Sequence, residues 1–332
     1  MKIGITGASG HVGANLCRAL LQKGYQLRIS VHIISKSIET LAVEKVTTDI
    51  TNYNQVEIFV NGCDIIIHLA AKISIDGDPK GIVSAINLQG TQNVIAACEK
   101  FKIKKLIHFS SIHAFNPYPL METLDESRAY ISEKATPYDL SKVMAEKEIL
   151  QARERGLNAV IISPTSIFGP HDYYPSLLGK AMLDIYHRRI PALTPGGYDF
   201  VFVEDLVKGV IAVMENDCLA EKYIFNGNYI TIKNVAETIA QVCNKKLFYR
   251  IIPFEIIQIA LPIIQMHSYL TNKPALFTKE SMNTLRKSPQ KISSALAQKE
   301  LGYTITSYPE AIAKTFDWYA AEGMLTDKKS DR

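Results

Sequence analysis

Three side chains of this chain have the types and spacing of proton-transfer chemistry. Tyr138 and Lys142 stand four residues apart in TPYDLSK, and Ser111 closes the run KLIHFSS. Helical positions four apart share one face, so the phenol and the ammonium would line one cleft. A phenol loses its proton at about pH 10, and a neighbouring cation favours the anion. Such a pair can act as general acid or base, while the Ser111 hydroxyl donates to a substrate oxygen. Earlier in the chain, Gly7, Gly10 and Gly13 follow an apolar strand in KIGITGASGHVG. Gly7 would let the chain turn tightly, Gly10 would let backbone N–H groups approach a pyrophosphate, and Gly13 would let the next helix pack close. Each piece alone also has a bland reading: a turn-forming Ser, an amphipathic Tyr-x-x-x-Lys pair, a glycine turn with no ligand. Their order on suitable elements favours chemistry.

Those side chains need a scaffold, and the patterning supplies one. Lys2–Thr6 reads as a strand running into the glycine turn, and Val12, Leu16, Ala19 and Leu20 recur at helical spacing up to Gly24. Leu27 to Ile34, a stretch ending near Val46 to Asp49, Asp64 to Ala71, Lys105 to Phe109 and Ala159 to Ser163 read as further strands. Strands interleaved with helical segments predict a parallel sheet with right-handed crossovers. Asn87 to Lys100 has helical periodicity. Thr136-Pro137-Tyr138-Asp139 is a helix start, with Thr as N-cap and Pro at the first helical position, and that helix should run to about Arg155. Beyond Gly169-Pro170 the alternation loosens. Asp199 to Val203 and Tyr223 to Phe225 read as short strands, Val235 to Val242 and Pro309 to Tyr319 as helices. The expected fold is α/β: a Rossmann-type doubly wound parallel sheet with a smaller C-terminal substrate lobe. Residues 1–165 with 198–226 would bind the dinucleotide, and 166–197 with 227–332 the substrate.

Composition narrows the field. A length of 332 residues allows two lobes or one large α/β unit. A charge of +4 from 37 basic and 33 acidic residues is too balanced for a nucleic-acid binder, and no dense basic run occurs. Cys17, Cys63, Cys98, Cys218 and Cys243 are scattered, with no spacing for a metal, and read as reduced thiols. The first strand begins at once without a secretory leader, so the expectation is a cytoplasmic protein. A spanning helix needs about 20 mostly apolar residues. The run Phe254 to Leu270 is interrupted by Glu255, Gln258, Pro262, Gln265 and His267. It reads as helix and loop over a pocket, with interfacial membrane contact as the alternative.

Taken together, TGASGHVG, Asp49-Ile50-Thr51, HLAA at His68 to Ala71, Asn87 with Gly90 and Thr91, FSSIHAF, YDLSK and SPTSIFGP resemble, in order, the extended short-chain dehydrogenase/reductases. The resemblance implies a catalytic triad of Ser111, Tyr138 and Lys142. It implies a cofactor held by Gly7, Gly10 and Gly13 at the pyrophosphate, by Asp49 and Ile50 at the adenine and by Ala70 and Ala71 near the ribose, with Ser9, His11, Val12, Leu69 and Asn87 as further cofactor contacts. Lys142 would also bind the nicotinamide ribose, with Pro164, Ser166 and Ile167 beside the ring. The end of the second strand reads Ser30-Val31-His32-Ile33, without the acid that would bind the ribose hydroxyl of NAD. His32 falls where NADP-using relatives often carry Arg, and Lys36 follows, so NADP is favoured over NAD.

Nucleotide-sugar members usually read R-Y-F-N-V-Y-G-P where this chain has Ser163 to Pro170, and tend to carry an Arg where it has Tyr198. A diphosphate normally calls for bidentate Arg, so the chain is more similar to the dihydroflavonol-reductase-like and 3β-hydroxysteroid-dehydrogenase-like branches. Lys273 to Gly323 resembles bacterial members of the former. Lys72, Ile73, His113, Phe115, Phe168 and Tyr173 are the candidate pocket wall. The leading expectation is reduction of an aldehyde, ketone or flavanonol-like carbonyl to an alcohol. The alternatives are an NAD-retaining epimerase or dehydratase of a sugar derivative, a 3β-hydroxysteroid or sterol-type dehydrogenase, and a non-catalytic cofactor sensor. No metal is expected, the partner is a small molecule, and a homodimer is left open.

Overall fold

The computed structural model describes residues 1–32, 35–74, 77–133, 135–217, 220–259, 261, 266, 282 and 285–326. The first part of the chain alternates β1 (Lys2–Thr6), α1 (His11–Gln22), β2 (Gln26–Val31), β3 (Glu44–Thr47), α2 (Tyr53–Val60) and β4 (Ile65–His68). Then come α3 (Ile82–Ser84), a π-helical turn (Ala85–Gln89), α4 (Gly90–Lys100), β5 (Lys105–Phe109), α5 (Pro137–Glu154) and β6 (Ala159–Pro164). The remainder holds β7 (Ser166–Phe168), α6 (Leu177–Tyr186), β8 (Ala192–Leu193), β9 (Gly197–Phe202), α7 (Val203–Glu215), β10 (Lys222–Phe225), β11 (Asn228–Thr231), α8 (Ile232–Val242), β12 (Arg250–Ile251), α9 (Ala295–Leu301) and α10 (Tyr308–Ala321).

Seven strands form one parallel sheet in the order β10-β6-β5-β4-β1-β2-β3. Its central strands are apolar on both faces because helices cover both. Ile65, Ile67, Ile107 and Phe109 pack with Leu16 and Leu20 of α1 and with Leu206 and Val210 of α7. The alternate residues Ile66, Leu106 and Ile161 pack with Phe59 of α2, Val94 and Cys98 of α4 and Ile149 of α5. The period of two along each strand thus divides the core into two layers. This is the expected doubly wound architecture.

The chain leaves the large sheet at Pro164 and enters a second one at Ser166, where β7 pairs with β9 and β9 with β11. That small sheet packs on α6, α8 and α10 through Phe168, Met182, Phe200, Ile239, Tyr308 and Phe316. From the C-terminal third, Ala297 and Tyr303 return to pack in the core of the large sheet.

Three departures have local causes. The fourth strand stops at His68 rather than Ala71 because the Thr6 hydroxyl accepts the Ala70 N–H at 3.2 Å and draws the chain out of the ladder. The helix expected from Asn87 begins at Ile82 and carries the π-turn around Asn87. Helices α2, α6 and α7 carried no strong expectation, yet α7 starts with Glu204 and Asp205 in its first turn, where the helix dipole favours acids. Cys17, Cys63, Cys98 and Cys243 are free thiols, and Cys218 lies outside the described residues. Among the described residues no helix is long and apolar enough to cross a membrane. Most of the run from Phe254 to Leu270 lies outside them beyond Ile259.

Candidate active site

The helix start written in TPYD forms as the sequence dictates. Thr136 is the N-cap, its hydroxyl accepting the Asp139 N–H at 3.2 Å, and Pro137 opens the first turn of α5. The turn presents Tyr138 and Lys142 on one face, the Lys142 ammonium 6.0 Å from the centre of the Tyr138 ring. Lys142 is buried at 4% exposure and donates to the Phe109 carbonyl at 3.0 Å, which ties α5 to the end of β5. Two residues on, Ser111 leaves the sheet with its hydroxyl accepting the His113 N–H at 3.2 Å. The Ser111 side chain also hydrogen-bonds the Tyr138 phenol.

The electrostatics differ from the expectation that Lys142 depresses the phenol. Burial pushes Tyr138 up to about 12, opposed by the Ser111 hydrogen bond and aided by the Asp139 carboxylate. Burial pushes Lys142 down to about 8, opposed by Glu146. Withdrawal from water therefore outweighs a cation 6.0 Å from the ring centre, and Tyr138 holds its proton at neutral pH.

The glycine turn is a backbone cradle. Gly7 has φ +70°, and a Cβ there would lie 2.7 Å from the Ala70 nitrogen. A Cβ on Gly13 would strike the Gly7 carbonyl and sit 2.6 Å from the Ala8 Cα. On Gly10 it would meet only the Gly7 oxygen, at 3.4 Å, and otherwise fill open space before α1. Gly10 is the N-cap of α1 and offers no side-chain cap, so the first-turn N–H groups face that space, as an anion site requires.

A directional hydrogen-bond chain joins this cradle to α5. Thr6 Oγ1 accepts from the Ala70 N–H at 3.2 Å and its hydroxyl donates to His68 Nδ1 at 2.7 Å, the direction set by Thr91 at the other ring nitrogen. Thr91 donates to the Asn87 carbonyl at 2.7 Å and takes the His68 Nε2–H at 3.1 Å. The Asn87 amide donates to Ser141 at 2.9 Å, and Ser141 to the Tyr138 carbonyl at 2.6 Å. Burial pushes His68 down to about 3, and this polarity requires the neutral ring.

The other candidates fall into groups. Ser9 and Ala71 are exposed near the turn, while Val12, Leu69 and Ala70 are half-buried. His11 Nε2 lies 3.0 Å from the Pro170 carbonyl. His32 is exposed just past β2, and Lys36 pairs with Glu322 at 2.5 Å. The Asp49 carboxylate accepts from Thr51 N at 2.9 Å and Thr51 Oγ1 at 2.7 Å, which holds it below its usual range. Ile50 is buried against Gly90, where a Cβ would come within 2.7 Å of it. Asn87 is fully engaged, gripping Lys72 through N (2.7 Å) and O (3.0 Å) besides Ser141. Pro164, Ser166 and Ile167 lie where the chain passes between the sheets.

A cavity of about 240 Å³ is lined by Ile112 and Asp139, the chain neighbours of Ser111 and Tyr138, and not by those two side chains themselves. Of the candidate wall residues, His113 and Phe115 line this cavity. Phe168 instead lies in the aromatic core, 5.6 to 6.2 Å from the rings of Phe200, Phe202 and Tyr308. Tyr173 packs edge-on against Trp318 at 5.1 Å and takes an Arg18 hydrogen bond at 3.1 Å. Lys72 and Ile73 are exposed away from the lining. Missed were Asp139, Thr165, Tyr198, Asp199 and the stretch around Lys287. Asp199 left a trace in sequence, an acid inside the apolar run YDFVF. It is 5% exposed, accepts from Thr165 Oγ1 at 2.7 Å and Gly227 N at 2.8 Å, and burial raises its pKa.

The profile of the NAD dependent epimerase/dehydratase family matches residues 3–226. Sterol demethylase protein B of Methylococcus capsulatus is 29% identical over 328 residues, covering 97% of this chain and 99% of its own length. A putative dihydroflavonol 4-reductase of Synechocystis is 26% identical, covering 97% and 95%. The crystal structure of UDP-glucuronic acid 4-epimerase from Bacillus cereus in complex with NAD superposes with a TM-score of 0.77 at 18% identity, covering 97% and 99%. That likeness is one of fold.

Proposed function

The chain belongs to the NAD dependent epimerase/dehydratase family, the extended short-chain dehydrogenase/reductases, and from that premise we propose that it is a nicotinamide-dependent reductase of an uncharged, largely apolar carbonyl compound. The observation that carries this reading is the meeting of Ser111, Tyr138 and Lys142 at the end of β5, next to a cavity whose wall mixes Ile112, Phe115, Leu124, Ile131 and Ile292 with polar groups.

The backbone around Gly7, Gly10 and Gly13 fits a pyrophosphate: Gly7 and Gly13 let the turn and α1 pack closely, and a Cβ on Gly10 would enter the open space before α1. Ser9, His11 and Val12 would complete that contact, Asp49 and Ile50 would meet the adenine, and Leu69, Ala70, Ala71 and Asn87 the ribose region. Lys142, Pro164, Ser166 and Ile167 would meet the nicotinamide end, which supplies the hydride. Tyr138, protonated at neutral pH, delivers its proton to the substrate oxygen as the carbonyl carbon is reduced. Ser111 donates to the same oxygen and steadies its developing charge. Lys142 stabilises the phenolate that Tyr138 becomes. In this reading residues 1–165 with 198–226 bind mainly the cofactor and 166–197 with 227–332 mainly the substrate, while side chains from Ile112 to Asp139, with Tyr198 and Asp199, also reach the cavity wall. NADP is the favoured form, since no acid ends β2 and His32 is exposed there; Lys36 is already engaged by Glu322.

Two features favour an uncharged substrate. Tyr198, not Arg, stands on the cavity wall, and Asp139 and Asp199 line it together with His113 and Lys287, a poor setting for a diphosphate. A sterol or 3β-hydroxysteroid dehydrogenase is the second reading, favoured by the likeness to sterol demethylase protein B along 97% of the chain.

The test is thermal shift with NADPH and NADH, since stabilisation follows the logarithm of ligand over Kd. Consumption of the better cofactor is then followed over aldehydes, ketones, flavanonols and ketosteroids. Tyr138→Phe should abolish turnover while the cofactor-induced shift persists; undiminished turnover in that variant sinks the assignment. Protein that retains NAD and oxidises no added cofactor would instead be an epimerase or dehydratase, and one that binds cofactor without any chemistry a sensor.

A further inference from the structure

Behind Lys142, between α5 and the sheet, lies a buried ion pair that none of the chemistry above uses. Glu146 follows Lys142 by one helical turn and is fully shielded from solvent. One of its oxygens accepts from the Ser110 hydroxyl, and the other meets the Lys222 ammonium on β10. Lys222 is 7% exposed, donates to the Tyr130 hydroxyl at 3.2 Å, and sits 4.8 Å and 4.6 Å from the Phe115 and Tyr130 ring centres. The same strand end therefore holds both groups: Phe109 takes Lys142, Ser110 takes Glu146, and Ser111 is the next residue. A buried ion pair is a poor source of stability, since well-packed apolar residues of equal volume often do as well. A pair kept at this place points to another use.

We propose that Glu146 is a positioning residue: its buried carboxylate, clamped by Ser110 and Lys222 one turn behind Lys142, keeps the Lys142 ammonium charged and in place. The inference rests on the reading of Lys142 as the cation that serves the cofactor ribose and Tyr138.

The surroundings of Lys142 support it. On its own helix it faces Tyr138, which is protonated at neutral pH, and Glu146. From β4 and β5 the imidazoles of His68 and His108 face it, and burial keeps both neutral, the Lys142 charge adding to that effect. Lys222 on β10 and Tyr130 face Glu146 rather than Lys142, and burial with Glu146 raises the Tyr130 pKa. Burial alone drives Lys142 toward the neutral amine, and Glu146 is the influence that opposes it. Without that carboxylate the amine would give up its proton below the present value of about 8.

The test reads Lys142 directly. Protein carrying ¹³C at lysine Cε is titrated by NMR, the Lys142 signal being assigned by its loss in Lys142→Arg. In Glu146→Gln the Lys142 midpoint should fall by about one pH unit or more. The double variant Glu146→Gln with Lys222→Met removes both charges, leaves no unpaired ion if the single variant misfolds, and should show the same fall. A purely structural Glu146 would alter stability and leave the midpoint where it was. An unmoved midpoint in both variants overturns the proposal, whatever the activity. A lowered midpoint in a protein that reduces no carbonyl upholds the role of Glu146 and removes only the reductase reading.

Discussion

The two ends of the candidate site are built on different principles. The cradle is made of backbone from consecutive residues, Thr6 to Ala14, with no side chain capping α1. The cavity is made of side chains drawn from Ile112 to Ile292, from loops, the start of α5 and the small sheet. The cradle excludes by shape, because a methyl at Gly7 or Gly13 would strike backbone; the cavity selects by chemistry, because its wall mixes apolar groups with acids and a few donors. Substitutions should therefore act abruptly at the first and by degrees at the second.

The largest effect follows from Gly13. A Cβ there would meet the backbone of Gly7 and Ala8, and backbone cannot swing aside as a flexible side chain can. Gly13→Ala should cost roughly 1–3 kcal/mol by overpacking and abolish the thermal shift produced by NADPH or NADH. Gly10→Ala, with open space around it, should keep the free protein's Tm and lose only the cofactor shift. Equal losses of Tm in both variants would break the distinction between a packing glycine and a ligand-facing one.

The next effect lies on the bridge between the two ends. His68 is buried neutral, with its pKa pushed from 6.5 down to about 3. Between those values the unfolded chain binds the extra proton and the folded chain does not. The stability linked to His68 is thus complete above pH 6.5 and lost progressively as pH falls toward 3. Urea unfolding between pH 7 and 4 should show that acid limb, and His68→Gln should reduce its slope, the remainder coming from other buried imidazoles such as His108. A limb of unchanged slope would mean that another group governs the acid loss.

What could be read in the sequence follows the same division. The glycine turn, the Tyr138/Lys142 pair and the Thr136 cap are local patterns, in which the next few residues dictate the conformation. Phe168 and Tyr173 looked like pocket residues because aromatic type alone does not distinguish a wall from a core. Only the meeting of β7, β9 and α10 decides it. The upward push on the Tyr138 pKa was not legible for a related reason: spacing reveals the cation but not the loss of water around the phenol. Glu146 stands four residues after Lys142 in plain view, yet its partners Ser110 and Lys222 come from distant strands.

Thr136 belongs to both ends, since it caps α5 and lines the cavity. Removing a Thr cap costs about 1 kcal/mol, so Thr136→Ala should lower stability to chemical denaturant by that amount. Because the capped turn carries Tyr138, kcat should fall several-fold. Full activity together with the stability loss would show that the first turn holds Tyr138 without its cap.

The smallest effect is expected at Tyr198, where only chemistry and not shape is at stake. Its ring packs against Phe200 at 6.2 Å while the residue forms part of the cavity wall. Tyr198→Phe deletes one hydroxyl and keeps the ring. A hydrogen bond to a neutral group is worth about 0.5–1.5 kcal/mol, so KM for a substrate that uses this hydroxyl should rise roughly 2- to 10-fold. The cofactor-induced thermal shift should not change, because the cradle is built from other segments of the chain. If Tyr198→Phe weakened cofactor binding as much as it raised KM, cradle and cavity would be one continuous site rather than two. An Arg introduced by Tyr198→Arg sharpens the same point: it should depress turnover of apolar carbonyls without creating affinity for a nucleotide diphosphate, since Asp139 and Asp199 line the same cavity.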